Sequence, residues 1–182
     1  ATALMALRTD PSAFAASLLR RMPRPPSQEA RVGDRFHAWL QDRFELPAPL
    51  EEMEGGPTAE PGELTRLVAA FEAGRFAHLT PLGVEVPFVM SRGSHVLRGR
   101  IDAVYEWDRD GYQYLVVDWK TSARRADPLQ LAVYRQAWAE ARGLDPARVG
   151  AAFYHVLADQ LRFVEAPASL IDAALKAGME PR

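Results

Sequence analysis

The segment LVVDWKTS, residues 115–122, predicts a buried β-strand that ends in charged side chains. Because side chains alternate along a strand, Asp118 and Lys120 project from the same face. On the preceding strand, the segment RGRID (residues 98–102) carries another carboxylate, Asp102. We expect the two strands to pair as a hairpin, which would bring Asp102 and Asp118 together near a strand end with Lys120 beside them.

Such a grouping of charges has a recognisable chemistry. Two carboxylates at one point are costly unless they share a cation, and oxygen ligands of this kind suit Mg²⁺ or Mn²⁺. An adjacent ammonium group would orient or activate a water, or neutralise charge that develops on a phosphate. This is the minimum equipment for hydrolysing a phosphodiester. Taken alone, an Asp-x-Lys pair at a strand end is more often a solvated ion pair that contributes less than about 1 kcal/mol.

Four further residues are candidates for a supporting role. Gln130 and Tyr134 lie four residues apart on one face of a predicted helix, where they could hold a phosphate, order the lysine or simply be partly buried. His37, inside another predicted helix, could add a nitrogen ligand to a metal, although a single helical histidine is more often structural. Glu85 lies on the first predicted strand, where it either supports a neighbouring ligand or faces solvent.

The predicted elements follow the order helix, three strands, helix, strand, which indicates an α/β fold. Apolar residues recur at helical spacing in the second helix, while β-branched and aromatic residues concentrate in the strands. An acidic surface loop is expected over residues 47–62. The helices are expected at residues 10–21, from 27 onward, and at 64–76, 128–142 and 169–176; the strands at 84–90, 96–107, 112–119, 149–158 and 161–165.

Composition excludes several classes of function. The chain of 182 residues contains no cysteine, so iron–sulfur clusters, cysteine-ligated zinc and disulfides are excluded. No glycine-rich phosphate loop precedes Lys120, and we therefore expect no ATP site here. We find neither a signal peptide nor an apolar run long enough to span a membrane, so we expect a cytoplasmic protein without a membrane partner.

Any binding of nucleic acid must come from a local patch or from a partner that holds the strand, because the net charge of the chain is −2. By simple alternation, Arg98 and Arg100 share a strand face with Asp102, and Arg124 and Arg125 follow the charged strand end. We expect these four arginines to form a positive patch beside the site. The chain alone should then bind DNA weakly and in a salt-sensitive manner.

Several motifs together resemble the RecB-type nucleases of the PD-(D/E)XK superfamily. The resemblance covers residues 27–157 and rests on Gly33…His37, Gly99-Arg-Ile-Asp102, Val117-Asp-Trp-Lys-Thr121 and Gln130-Leu-Ala-Val-Tyr134. It implies the restriction-endonuclease-like core of that superfamily, with element order αβββαβ and a mixed sheet flanked by helices. More narrowly, residues 6–11, 35–39, 98–104 and 149–153 resemble the C-terminal nuclease domain of the AdnB family, which are actinobacterial UvrD-like helicase–nucleases.

The resemblance assigns roles to the candidate residues. His37, Asp102 and Asp118 would bind Mg²⁺ or Mn²⁺ together with the backbone carbonyl of Trp119, and Lys120 would be the catalytic lysine, acting with the two aspartates. The implied activity is metal-dependent hydrolysis of DNA, expected to be that of an exonuclease, in the processing of double-strand breaks for repair. The supporting or substrate-binding candidates are Glu85, Arg100, Gln130 and Tyr134.

The same resemblance implies a domain organisation and partners. Residues 1–26 would be an N-terminal helix and linker from a preceding UvrD-like helicase region, and residues 27–182 would be the RecB-like nuclease domain. The motor would deliver a single DNA strand, and a second helicase–nuclease subunit is a further expected partner. The alternatives are a catalytically idle domain that binds DNA or a partner subunit, and an unrelated α/β domain with coincidental surface charges.

Overall fold

The helices and strands follow one another along the chain in the predicted order. The structure, a computed structural model, describes residues 28–44, 61–122 and 126–177. The helices are α1 (Gln28–Phe44), α2 (Pro61–Ala73), α3 (Pro128–Arg142) and α4 (Ser169–Ala177); the strands are β1 (Gly83–Arg92), β2 (His95–Arg109), β3 (Tyr112–Lys120), β4 (Val149–His155) and β5 (Gln160–Phe163). The strands form one sheet in the order β1-β2-β3-β4-β5, in which β3 and β4 are parallel and the other neighbours are antiparallel.

This mixed sheet confirms the predicted α/β class and the αβββαβ core, with local differences. The strand predicted over 149–158 ends at His155, because Val156–Ala158 form a 3₁₀ turn that closes at Asp159 with a left-handed φ of 45°. Helix α2 begins and ends three residues earlier than the predicted 64–76. The helix predicted over 10–21, residues 1–26 as a unit and most of the loop over 47–62 lie outside the described residues.

Two apolar layers bury the sheet, one on each side. Layer 1 lies beneath α3 and α4, and layer 2 lies beneath α1 and α2. Successive residues of β3 enter opposite layers, Val116 in layer 1 and Val117 in layer 2. A strand covered on both faces is apolar at consecutive positions, which explains the run of residues 115–117. The charged residues that follow, beginning with Asp118, therefore emerge directly from the core.

Helix α3 begins and ends at capping residues that are visible in the sequence. The Asp127 side chain accepts a hydrogen bond from a first-turn N–H at 3.0 Å, and Pro128 occupies the first position, where no N–H is needed. Gly143 ends the helix with a φ of 63°, a left-handed value that glycine adopts without strain. The helix therefore has its predicted bounds and presents Gln130 and Tyr134 one turn apart.

Strands β1 and β2 exchange layers at Glu85 and Asp102, which lie between two consecutive pairs of the register. The flanking pairs are Val84↔Ala103, which packs in layer 2, and Val86↔Ile101, which packs in layer 1. Glu85 has a φ of 50°, and this left-handed residue resets the alternation of β1. Beyond the exchange the two strands continue as a two-stranded hairpin, residues 86–101, which we call the β1–β2 arm.

Candidate active site

The candidate site lies where β2 separates from β3. The last paired residues at this end are Ala103 and Val117. Beyond them the backbone N–H of Trp119 donates to Asp102 Oδ2 at 3.2 Å, so a carboxylate replaces the carbonyl that a continued ladder would supply. The charged ends of the two strands therefore meet as expected, with Asp102 and Asp118 both buried.

Asp118 and Lys120 form an ion pair at the carboxyl end of β3. Asp118 Oδ2 lies 2.6 Å from Lys120 Nζ, and the aspartate side chain is 1% exposed against 23% for the lysine. The ammonium group also donates to Gln130 Oε1 at 3.4 Å and lies 5.3 Å from the centre of the Phe153 ring. Lys120 is thus held by three neighbours at the border between the buried aspartate and the cleft.

Helix α3 ties the lysine to the second aspartate through a chain of hydrogen bonds. Gln130 accepts from Lys120 and donates from Nε2 to the Tyr134 hydroxyl at 2.9 Å. That hydroxyl in turn donates to Asp102 Oδ1 at 2.8 Å. Of the roles that the i, i+4 spacing left open, the structure supports ordering of the charged side chains, because both polar groups are engaged with them.

His37 and Glu85 join Asp102 on the other side of the cluster. His37 Nδ1 lies 3.1 Å from Glu85 Oε1, and His37 Nε2 lies 3.8 Å from Asp102 Oδ2. The imidazole is edge-on to the ring of Trp119, with the centroids 6.0 Å apart. Helix α1 therefore brings its histidine to the point where β1 and β2 exchange layers.

Backbone strain accompanies the placement of Glu85. A residue other than glycine at a φ of 50° within a strand costs of the order of 1–3 kcal/mol, and such residues concentrate at functional sites. Here the unusual backbone aims the carboxylate at His37, where it can accept the Nδ1 proton and hold the ring with Nε2 turned toward Asp102. Of the two positions that the sequence left open for Glu85, the structure shows the one beside a candidate ligand.

Burial and mutual charge perturb the titration of the cluster. Burial, followed by the charge of Asp102, raises the pKa of Asp118 to about 7, against the opposing effect of Lys120. Burial also raises the pKa of Asp102, although His37 and Tyr134 oppose the shift. For His37, burial favours the neutral ring, but Glu85 and the two aspartates outweigh it and raise the pKa to about 9. Negative charge is therefore in excess here, and a cation would relieve it.

The donor set fits a divalent cation. Ligand atoms of His37, Glu85 and Asp102 all lie within 4.8 Å of one another. Asp118 Oδ2 is buried and, among the described residues, meets no hydrogen-bond donor of suitable geometry, despite its short contact with Lys120. Carboxylates with one imidazole suit Mg²⁺ and Mn²⁺. The sequence analysis grouped Asp118 with His37 and Asp102 as metal ligands. In the structure, the three residues whose ligand atoms lie within 4.8 Å of one another are His37, Asp102 and Glu85.

A cleft of about 600 Å³ lies between α1 and the end of β3, and His37, Glu85 and Lys120 line it. Gly33 lies one turn before His37, and a Cβ there would meet Thr121 Oγ1 at 3.3 Å, so glycine permits the close approach of helix and strand. Two polar residues of α1, Asp34 and Gln41, also line the cleft, and the sequence analysis did not include them in the site. Their positions three residues before and four residues after His37 place them on the same helix face, and this spacing could have identified them.

The predicted arginine patch is only partly present. Arg98 and Arg100 are exposed, whereas Asp102 turns toward Tyr134 beneath α3. The expectation that these three residues share a face is therefore wrong, because the layer exchange at Asp102 interrupts the alternation. Arg100 makes no hydrogen bond or ion pair with the candidate catalytic residues among the described part of the chain, and residues 124 and 125 lie outside it.

Comparisons with known proteins agree with this geometry. A family model described as the PD-(D/E)XK nuclease superfamily matches residues 1–178. Among solved structures, one similar chain is a protein from Eubacterium rectale described as an exonuclease, with 14% sequence identity and a TM-score of 0.54. The match covers 87% of this chain and 66% of that chain, so the present chain spans slightly less than two thirds of its neighbour. At this identity the likeness concerns the fold. No curated protein matches this chain.

The lengths and compositions of the helices bear on the expectation that no segment of the chain spans a membrane. Within residues 28–44, 61–122 and 126–177, no helix combines the length and apolar character needed to cross a membrane.

Proposed function

This chain belongs to the PD-(D/E)XK nuclease superfamily, and we propose that it is a Mg²⁺- or Mn²⁺-dependent deoxyribonuclease that hydrolyses phosphodiester bonds. The observation that carries the proposal is the clustering of Asp102, Asp118 and Lys120 with His37 and Glu85. Of these residues, His37, Glu85 and Lys120 line one cleft, and the two aspartates are buried beside them. These buried carboxylates and the lysine beside them contribute little to the stability of the fold, since a buried ion pair seldom stabilises a protein. Their grouping is better explained by chemistry.

Lys120 is the cationic group that acts on the substrate in this proposal. Its ammonium group is restrained by Asp118 and Gln130, so little orientational freedom is lost when a phosphodiester enters the cleft. From that position the positive charge stabilises negative charge that develops on the phosphate or orients the attacking water. A neutral side chain of similar length would keep the packing and lose this effect.

Asp102, Asp118, His37 and Glu85 are the residues that would hold the cation. When bound, a divalent cation supplies positive charge that polarises the phosphodiester and favours deprotonation of a water. Tyr134 keeps the Asp102 carboxylate in place by donating a proton to Oδ1, and burial keeps this hydroxyl protonated by raising the pKa of Tyr134. Glu85 fixes the His37 ring with Nε2 turned toward Asp102.

The wider context is a further part of the proposal. We propose that the enzyme is an exonuclease of the RecB type, resembling the AdnB family, and that it acts in double-strand-break repair in the cytoplasm. A UvrD-like motor in the same full-length protein would deliver single-stranded DNA, with a second helicase–nuclease subunit as partner. The net charge of −2 supports delivery by a motor, because a weakly charged domain gains little affinity from phosphates alone.

The test is cleavage of single-stranded DNA by the 182-residue chain with Mn²⁺ at low salt. Linear and circular substrates are compared, because an exonuclease needs an end and leaves circles intact. Asp118→Ala is expected to abolish cleavage, and EDTA is expected to do the same. Asp108→Ala, at an exposed aspartate of β2, is the matched control and should retain full activity.

Two outcomes would contradict the proposal. Equal cleavage by the parent and Asp118→Ala chains would assign the activity to a contaminant. No cleavage at high protein concentration, together with calorimetry that detects no Mn²⁺ binding, would favour the catalytically idle domain that binds DNA or a partner. Cleavage of circles would keep the nuclease and remove the exonuclease assignment.

A further inference from the structure

No helix among the described residues packs on the outer face of the β1–β2 arm. On its inner face, Phe88 and Met90 pack in layer 1 beneath α3 and α4. The alternate positions point to the opposite side of the sheet, where layer 2 and its helices end at Val84. Two valines on this outer face are strongly exposed, Val89 at 70% and Val96 at 57%. The complete outer row is Pro87, Val89, Ser91, Val96, Arg98 and Arg100, and each of these residues is exposed.

Charge on this face has one sign. The row contains two arginines and no carboxylate, although the chain as a whole carries more acidic than basic residues. The apolar residues lie toward the tip of the arm, where Ser91 pairs with Val96, and the basic residues lie toward its base, where Arg100 pairs with Pro87. A face of this composition suits a ligand that offers phosphates near the site and less polar sugar or base surfaces farther away.

The face is continuous with the cleft. Glu85 and Asp102 lie at the base of the arm, and Arg100 and Arg98 precede Asp102 by two and four residues along the same strand. Side chains two residues apart on a strand are separated by about 7 Å, which is comparable to the distance between neighbouring phosphates of an extended nucleic-acid strand. Since α1 lines the cleft on the same side of the sheet, a strand lying along the arm would enter the cleft without crossing the sheet.

We propose that the outer face of the β1–β2 arm binds a single nucleic-acid strand whose scissile phosphate lies in the cleft. Arg100 and Arg98 contact successive phosphates, and Val89 and Val96 contact the adjoining sugars and bases. The cleft, of about 600 Å³, has room for one or two nucleotides, which favours a single strand over a duplex as the ligand. This inference rests on the proposed nuclease function and adds a substrate path to it.

The experiment measures binding of a fluorescent 20-nucleotide thymidine oligomer to the whole chain in EDTA. Fluorescence polarisation at several salt concentrations gives the slope of log Kd against log salt. Arg98→Gln/Arg100→Gln should reduce the magnitude of this slope by about 1.4, since each phosphate contact to a single strand contributes about 0.7. The matched control is Arg148→Gln/Arg162→Gln, which removes the same charge from exposed positions on β5, at the far edge of the sheet, and on the turn before β4.

A substitution that retains charge separates an electrostatic role from a structural one. Arg98→Lys/Arg100→Lys should recover most of the salt slope, and thermal unfolding followed by circular dichroism should show that all variants fold. With Mn²⁺, the glutamine pair should raise KM for the 20-mer about tenfold while kcat changes little, as expected when ground-state contacts are removed. The control pair Arg148→Gln/Arg162→Gln should change neither KM nor kcat for the 20-mer.

The inference and the proposed function can fail separately, because binding in EDTA needs no catalysis. A salt slope that is the same in the parent and the glutamine pair would overturn the arm as a binding surface, whatever the cleavage assay shows. Equal loss in the control pair would also overturn it, because the effect would then be one of net charge. If the glutamine pair instead changes the sedimentation of the chain and leaves DNA binding unchanged, the face is a contact between protein chains and the inference is wrong.

Discussion

Replacing Asp118 with asparagine should stabilise the metal-free protein above neutral pH while it removes the activity. The side chain is 1% exposed, and burial and the charge of Asp102 raise its pKa to about 7 from an ordinary value of 3.8. The folded protein therefore retains this proton at pH values where the unfolded chain has lost it. The contribution of such a group to the free energy of unfolding is fully present below the pKa of the unfolded state. It is lost as the pH rises through the pKa of the folded state.

The size of the effect follows from the two pKa values. Each unit of difference corresponds to about 1.36 kcal/mol, so the parent protein should lose about 3 kcal/mol between about pH 5 and pH 8.5 through this group. Asparagine has nearly the same shape and does not titrate. The variant should therefore gain stability relative to the parent across this window, although it gives up the ion pair with Lys120.

Urea unfolding of both chains in EDTA, at about pH 5 and pH 8.5, measures the difference directly. Asp108→Asn, at an exposed position of β2, controls for the general change in charge. Added Mn²⁺ at the higher pH should stabilise the parent and leave Asp118→Asn much less affected, because a bound cation favours the ionised carboxylate. If the difference in unfolding free energy between variant and parent is the same at both pH values, the aspartate is not destabilised by burial, and the argument for a cation here is refuted.

Two further predictions concern the hydrogen bond from Tyr134 to Asp102 and the packing around Gly74. Tyr134→Phe removes that hydrogen bond, and the loss of a hydrogen bond to a metal ligand usually lowers metal affinity 10- to 100-fold. Calorimetry should show Mn²⁺ binding weakened by about that factor. Unchanged affinity would mean that the hydroxyl does not position the carboxylate. Gly74→Ala should destabilise the fold by about 1–3 kcal/mol, because the new methyl group would overlap the hydroxyl of Tyr154. Gly62→Ala, in open space in α2, the helix that ends just before Gly74, is its control and should have no such cost in urea unfolding.

Much of the site was predictable because it follows local rules. The alternation of β3 placed Asp118 and Lys120 together, and the i, i+4 spacing placed Gln130 and Tyr134 on one helix face. Both relations involve residues within one element, where the backbone geometry alone decides which side chains are neighbours. The bounds of α3 were predictable for the same reason, because an Asp-Pro start and a glycine stop act on adjacent backbone groups.

The alternation rule failed where β1 and β2 exchange layers. Glu85 adopts a left-handed φ and Asp102 turns toward Tyr134, so the arginines that precede Asp102 face away from it. The residue at position 85 does not itself signal a left-handed backbone, because it is neither glycine nor asparagine, the residues that usually mark one. That conformation is maintained by packing on both sides of the exchange and by the contact with His37.

The sequence by itself determined the fold class, the order of elements and the chemical types at the site, because buried strands and capped helices leave periodic patterns that any single segment displays. Tertiary structure decided which of those residues meet. Three contacts depend on it: Gly33 of α1 approaches Thr121, Glu85 meets His37, and the backbone of Trp119 donates to Asp102 where β2 and β3 separate. Each contact joins residues of different elements. Such contacts depend on the relative placement of whole elements, which arises only when both apolar layers pack against the sheet.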